Sequence, residues 1–335
     1  MDLPKKEQFS GCLIGQSLGD ALGFPVEGAQ HEICKDYGKQ LLKLSVNMTG
    51  REPYPLGQYS DDSQLARELL ISYRDCKMFD PGDYARRIAD IFSRGRIVGS
   101  GRATFEAAMR LDAGTPWQEA GTPSPSAGNG SAMRAGPVGL LFFDNVGDLI
   151  RSAYDQSRIT HQDPRCCACS VAIAGAVALC LRKKSLDSKD FLIELSEWTG
   201  PIESSVSNAL KRLAEWVEMP PENTMSLIAQ AGYAPGYSNE WQGLTPFVTG
   251  TVLWSLYSFL HTPQRYLDTI VTAISVGGDV DSTAAMAGAI SGAFLGRNAL
   301  PNEMVKLLTD KGRWGLAELT KLAHECFDVK MQSIS

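Results

Sequence analysis

No block of like charge interrupts this chain, and no Pro/Gly/Ser-rich linker divides it. The first absence excludes an acidic or basic interaction tail. With a formal net charge of -6, the chain also lacks the basic face that nucleic-acid binding needs. Apolar runs are short; the longest, Val171 to Leu181, is below the length that crosses a bilayer. The opening residues Met1 to Gln8 are polar and hold no signal-peptide core. Strict apolar/polar alternation, the mark of a half-buried strand, is nearly missing, and Leu42 to Met48 is the one weak candidate. Of the eight cysteines, Cys166, Cys167 and Cys169 cluster, but no second Cys/His pair follows at zinc spacing. A disulfide framework does not suit a chain of this size and compartment. The expectation is a cytoplasmic protein with reduced, core-packed thiols, no membrane insertion and no nucleic-acid partner.

Helix signals, by contrast, recur throughout. An N-cap residue followed by proline at the first helical position occurs at Asp80-Pro81, Thr115-Pro116, Asp163-Pro164, Thr245-Pro246 and Thr262-Pro263. Behind Asp80-Pro81, Tyr84, Ile88, Ile91 and Phe92 keep helical spacing; behind Thr262-Pro263, Tyr266, Leu267, Ile270, Val271 and Ile274 do the same. The pattern predicts one large all-α domain spanning residues 1–335, with a dozen or so helices. Its irregular stretches are Glu27 to Tyr59, Gly114 to Gly130 and Gly232 to Gly243. Two glycine stripes stand out: Gly11, Gly15 and Gly19 near one end, Gly288, Gly292 and Gly296 near the other. Glycine lowers helix propensity, so such stripes imply close backbone packing. If the two faced each other, the segments holding Asp20 and Glu27 would meet those holding Asp279 and Asp281.

Five stretches carry chemistry. Gly277-Gly278-Asp279-Val280-Asp281-Ser282 sets two carboxylates on a Gly-Gly turn before a helix of small and apolar residues. Such a carboxylate either caps the helix or binds a hard cation such as Mg²⁺ through oxygen. Ser60-Asp61-Asp62 is a second arc of oxygens at a helix start, where the macrodipole explains one carboxylate better than two. Two arcs of this kind suit a two-metal site. Gly128-Asn129-Gly130-Ser131-Ala132-Met133-Arg134 reads as a Gly-rich loop opening a helix, which is either an anion site or a structural turn. His161 lies just before a helix start and is either a ligand contact or a structural histidine. Gly99-Ser100-Gly101 is a short Gly-rich turn.

Taken in order, these stretches resemble the ADP-ribosylglycohydrolase family. The match begins with Gly15-Gln16-Ser17-Leu18-Gly19-Asp20 and the acidic loop at Glu27. It continues through Ser60-Asp61-Asp62-Ser63, the Gly128-Asn129-Gly130 loop and Thr160-His161, and ends at Gly278-Asp279-Val280-Asp281-Ser282. Serine stands where the family has threonine at Ser60, Ser63 and Ser282, which keeps the hydroxyl. Val280 stands where many relatives have threonine. Every acidic position is intact, unlike a crystallin-like member without activity.

The resemblance implies an all-α, many-helix domain with a dinuclear metal cleft. It implies two Mg²⁺ ions, with Mn²⁺ as a substitute, held by Ser60, Asp61, Asp62, Asp279, Asp281 and Ser282. Asp62 and then Glu27 would serve as general base, and Glu27 as a further ligand or lid. ADP-ribose would lie along Glu27, Gly99, Ser100, Gly101, Gly128, Asn129, Gly130, Ser131 and Met133, with His161 on the adenosine side. The implied activity is Mg²⁺-dependent removal of ADP-ribose from modified protein side chains, first of all ADP-ribosyl-arginine. The alternatives are an O-linked, serine-type hydrolase or a non-catalytic ADP-ribose-binding module. The partners are then an ADP-ribosylated protein and the ADP-ribose product.

Overall fold

Capping chemistry repeats along the chain, and the computed structural model turns it into seventeen α-helices among the described residues. The residues described are 3–43, 49–182, 185–233 and 241–334. Asp80 accepts hydrogen bonds from the amides of Gly82 and Asp83 at the start of one helix, Asn145 caps another, and Asp187 a third. Among the described residues no strand forms; isolated β-bridges tie loops together instead. The expected all-α class is therefore the observed one.

The helices are α1 (Lys6–Gly23), α2 (His31–Leu42), α3 (Asp61–Cys76), α4 (Pro81–Ser93), α5 (Arg102–Asp112) and the short α6 (Trp117–Ala120). Next come α7 (Gly136–Leu141), α8 (Val146–Arg158), α9 (Pro164–Arg182), α10 (Ser188–Thr199), α11 (Ser204–Trp216) and α12 (Pro221–Ala229). The last are α13 (Val248–His261), α14 (Tyr266–Ser275), α15 (Val280–Leu295), α16 (Asn302–Val305) and α17 (Leu316–Ile334). Helices α9, α13 and α15 run through the middle, buried on almost every face. By length and composition α9 would cross a membrane, but here it forms the heart of the core.

Several expectations need correction. Glu27 to Tyr59 is not irregular throughout, because it holds α2. The inward face of that helix is only Cys34, Gly38 and Leu41, too weakly apolar to announce itself. The strand candidate fails at Leu42, which ends α2, and its residues 44–48 lie outside the described residues. In Gly232 to Gly243, residues 234–240 also lie outside them. Thr262-Pro263 does not open a helix. Thr262 closes α13, its carbonyl accepts the Arg265 amide, and α14 begins at Tyr266.

The two glycine stripes do meet. A Cβ on Gly292 would lie 1.9 Å from the Gly11 carbonyl oxygen, and one on Gly15 would lie 2.5 Å from that of Gly288. Further along, Gly19 meets the Ala284 carbonyl and Gly23 meets the Asp281 backbone. The helices therefore run antiparallel, backbone on backbone, and the C-terminal end of α1 abuts the N-terminal end of α15. Gly296 ends α15 with φ +78°, and its carbonyl carbon would lie 2.8 Å from a Cβ on Gly11. Each interior glycine forgoes about 1 kcal/mol of helix propensity, and the dense contact that replaces a side chain offsets it. Tyr266 locks the pair, its hydroxyl donating to the Gly15 carbonyl at 2.6 Å.

Gly292→Ala should therefore lower the unfolding free energy by about 1–3 kcal/mol. Gly101→Ala, with no neighbour near the added methyl and ordinary φ, should stay within about 0.5 kcal/mol of the parent. Urea midpoints measure both, and equal midpoints would refute the close-packing account.

Candidate active site

The abutting ends of α1 and α15 bring the start of α3 beside them. Asp20, near the end of α1, accepts the Ser60 amide at 2.9 Å and the Ser63 amide at 3.1 Å. It thus serves as an N-terminal acceptor for a helix other than its own, with the α3 dipole in its favour. Ser60 caps α3, and its hydroxyl donates to Asp62 Oδ2 at 2.9 Å. Asp61 is held from the opposite side, its amide donating to the Val98 carbonyl at 2.8 Å.

A second set of backbone bonds positions Asp279. The Leu244 amide donates to the Gly277 carbonyl, and the Asp279 amide donates back to the Leu244 carbonyl at 2.9 Å. Two residues later, the Asn129 amide donates to the Pro246 carbonyl at 2.9 Å. The segment 244–248 therefore stitches the Gly277-Gly278 turn to the Gly128-Asn129-Gly130 loop. Asn129 Nδ2 then donates directly to Asp279 Oδ2. Gly28 donates to the Gly278 carbonyl at 2.8 Å, which anchors the Glu27 segment to the same turn.

Six carboxylates converge: Asp20, Glu27, Asp61, Asp62, Asp279 and Asp281. In Asp20, Asp62 and Asp281, one oxygen from each lies within 4.8 Å of the others, and the same holds for Glu27, Asp279 and Asp281. Asp281 belongs to both triplets. Asp62 Oδ1 is buried without a hydrogen-bond partner, although such acceptors normally have one. All of these donors are hard oxygens, and the orphaned Asp62 oxygen fits a hard divalent cation.

Burial, with repulsion from neighbouring acids added for most of them, pushes the five aspartates toward their neutral form. Burial raises Asp20 to about 7, partly offset by the bonds from Ser63 and Ser60. It raises Asp61 to about 8, with Asp20 and Glu27 adding repulsion. Asp279 rises to about 6 through burial and the charge of Glu27. Asp62 and Asp281 lie well above the usual carboxylate range, through burial first and then repulsion, from Asp20 and Asp61 on Asp62 and from Glu27 and Asp62 on Asp281.

A cleft of about 390 Å³ opens over this floor. Glu27, Ser60, Asp61, Asp62, Asp279, Asp281 and Ser282 line its base, and Gly99, Ser100, Gly101, Gly128, Asn129, Gly130, Met133 and His161 line its walls. Thr160 Oγ1 accepts from Arg134 at 2.9 Å and lies 2.8 Å from His161 Nδ1. The Thr160 hydroxyl thus joins Arg134 to His161, and the other ring nitrogen, Nε2, lies beside Gly128 and Gly130. Burial lowers His161 to about 3, so it is neutral.

A scan against family models matches residues 1–333 to the ADP-ribosylglycohydrolase family. The chain belongs to this family. It is 26% identical to ADP-ribosylhydrolase ARH3 of Gallus gallus, over 89% of this chain and 88% of that protein. It is also 26% identical to the ADP-ribosylarginine hydrolase Tri1 of Pseudomonas putida, over 96% of this chain and 78% of that one. Among solved structures, an ADP-ribosylglycohydrolase-related protein complex superposes with a TM-score of 0.70 at 23% identity. That superposition covers 97% of this chain and 99% of the other, so the two share the fold.

This ADP-ribosylglycohydrolase is thus a glycohydrolase whose sequence-predicted site residues converge on one cleft, with one exception. Ser131 is fully buried away from it; its hydroxyl accepts from Ser157 at 2.8 Å and lies 3.2 Å from Ser170. The loop at Gly128 also does not open a helix. Turns fill residues 130–134, and the Ala132 and Met133 amides are spent on the Asn129 carbonyl. An anion there meets glycine backbone, not a helix dipole. Asp20, which the facing glycine stripes were expected to bring near Asp279 and Asp281 but to which no site role was assigned, joins the acidic cluster. Phe24, Thr104 and Trp241 also line the cleft, and nothing in their spacing marked them.

The raised acids set a direction with pH. Asp61 has an ordinary value of 3.8 in the unfolded chain and about 8 when folded. As pH rises between these values, the unfolded state ionises first and folded stability is lost. In chelator-treated protein, unfolding free energy should fall from pH 4 to pH 8. Asp61→Asn should shrink that fall by more than about 1 kcal/mol. Urea titrations across this range measure it, and an identical slope in the variant would refute the burial account.

Proposed function

We propose that this protein hydrolyses the bond between ADP-ribose and a modified protein side chain, with ADP-ribosyl-arginine as substrate and two Mg²⁺ ions at the cleft floor. The observation that carries the reading is the pair of carboxylate triplets joined at Asp281. Two oxygen triplets joined at one carboxylate suit a pair of neighbouring cations. The name of the Pseudomonas putida relative, an ADP-ribosylarginine hydrolase, supports the choice of arginine.

Bound divalent cations would supply Lewis-acid orientation of the ribose hydroxyls, held by Asp62, Asp279, Asp281 and their neighbours. The chain's own groups do the rest. Breaking a glycosidic bond builds positive charge on the anomeric carbon, and a floor of carboxylates stabilises that charge. Asp62 is the group that takes the proton from the attacking water; Glu27 stands as the second acceptor. Gly99, Gly101, Gly128 and Gly130 bring bare backbone to the diphosphate. His161, neutral, faces the adenosine end.

Peptides carrying ADP-ribosyl-arginine and ADP-ribosyl-serine should separate under this reading. Free ADP-ribose is expected from the arginine peptide in Mg²⁺ and none in EDTA. Release from neither peptide would end the hydrolase reading, and release that persists in EDTA would end its metal dependence. Asp279→Ala should cut turnover by at least about 100-fold, the scale of losing a positioned catalytic group, with the circular dichroism spectrum unchanged. Mg²⁺ should raise the melting temperature of the parent by mass action. It should raise that of Asp281→Asn far less, because one substitution damages both triplets.

A further inference from the structure

Glu27 has two sets of neighbours. One of its oxygens approaches Asp279 and Asp281. Its Oε2 accepts a hydrogen bond from Arg51 Nη1, across from the acidic floor. The same guanidinium lies over the Phe24 ring, 4.9 Å from its centroid. Tyr54 backs that ring, with centroids 5.9 Å apart. Phe24 and Glu27 both line the cleft, whereas Arg51 covers them from a separate loop with its side chain 45% exposed. Among the described residues, no other lysine or arginine pairs with any of the six carboxylates.

A carboxylate beside an aromatic face is what a guanidinium recognises. The planar donor fork meets the oxygen, and the delocalised cation rests on the ring. An ion pair this exposed contributes little to stability, so an incoming guanidinium displaces Arg51 readily. We propose that Glu27 and Phe24 form a guanidinium subsite beside the acidic floor of the cleft, filled by Arg51 in the resting protein and taken by the guanidinium of an ADP-ribosylated arginine when substrate binds. This rests on the hydrolase reading above and names its leaving group. Arg51 is then a positioning residue that competes with arginine-linked substrate. A serine-linked substrate brings no guanidinium and leaves Arg51 in place.

Arg51→Ala and Arg51→Met test this, the second keeping apolar cover over Phe24. Agmatine, a small guanidinium compound, is titrated calorimetrically into each protein, a readout that needs no turnover. Both variants should bind it several-fold more tightly than the parent, with unchanged melting temperatures. The KM for the ADP-ribosyl-arginine peptide should fall by a similar factor with kcat held, and the KM for the serine peptide should not move. Equal agmatine binding in parent and variants would overturn the subsite. So would a parallel shift in KM for both peptides, since Arg51 would then merely orient Glu27. If the parent releases ADP-ribose from neither peptide, the hydrolase reading falls and the agmatine titration alone decides the subsite.

Discussion

Everything at the site depends on two helices that touch without side chains between them. Gly11, Gly15, Gly19 and Gly23 let α1 lie against the carbonyls and backbone of α15 at Gly292, Gly288, Ala284 and Asp281. A single methyl in this seam would overlap a carbonyl oxygen, so the approach tolerates no larger residue. The geometric result is that Asp20 and Asp281, distant in sequence, stand at one end of a common stalk. Core packing and site assembly are here the same constraint, since any change that separates the helices also separates the carboxylates.

That constraint creates an electrostatic problem. Six acids sit together, five of them nearly removed from water, and burial alone drives them toward the neutral form. Among the described residues, only Arg51, on Glu27, brings an arginine or lysine to these acids. Backbone amides at the start of α3 hold Asp20, Asn129 holds Asp279, and the Ser282 amide holds Asp281 at 2.9 Å. The charge that remains uncompensated is what gives the floor affinity for a cation. Asp62 Oδ1, left without any protein donor, is the clearest trace of that demand.

The walls follow a different logic. They come from loops, and loops need rigid scaffolding to hold a ligand in place. Here the segment 244–248 bonds to Gly277 and Asp279 on one side and to Ala127 and Asn129 on the other. Beneath, the fully buried Arg134 donates to Gln156 and Thr160 and lies over the Tyr84 ring. Thr160 in turn bonds to His161 Nδ1 at 2.8 Å and holds the ring in place. A cation outside the cleft thus orders a neutral group inside it, through one hydroxyl.

The sequence by itself determined the helical class, because N-caps, proline positions and apolar spacing are local signals that tertiary context seldom reverses. It also determined the acidic arcs at Ser60-Asp61-Asp62 and Asp279-Val280-Asp281, since carboxylates beside an apolar helix demand an explanation wherever they fall. Helix α2 escaped notice because its buried face is a cysteine, a glycine and a leucine. Thr262-Pro263 misled because a proline that could begin one helix here follows the end of another. Only the tertiary structure decided that the glycine stripes face each other and that Asp20 joins the cluster. It alone turned Ser131 into the core and set Arg51 on Glu27. Those outcomes depend on which backbone approaches which, and a linear pattern records the capacity for contact but not the partner.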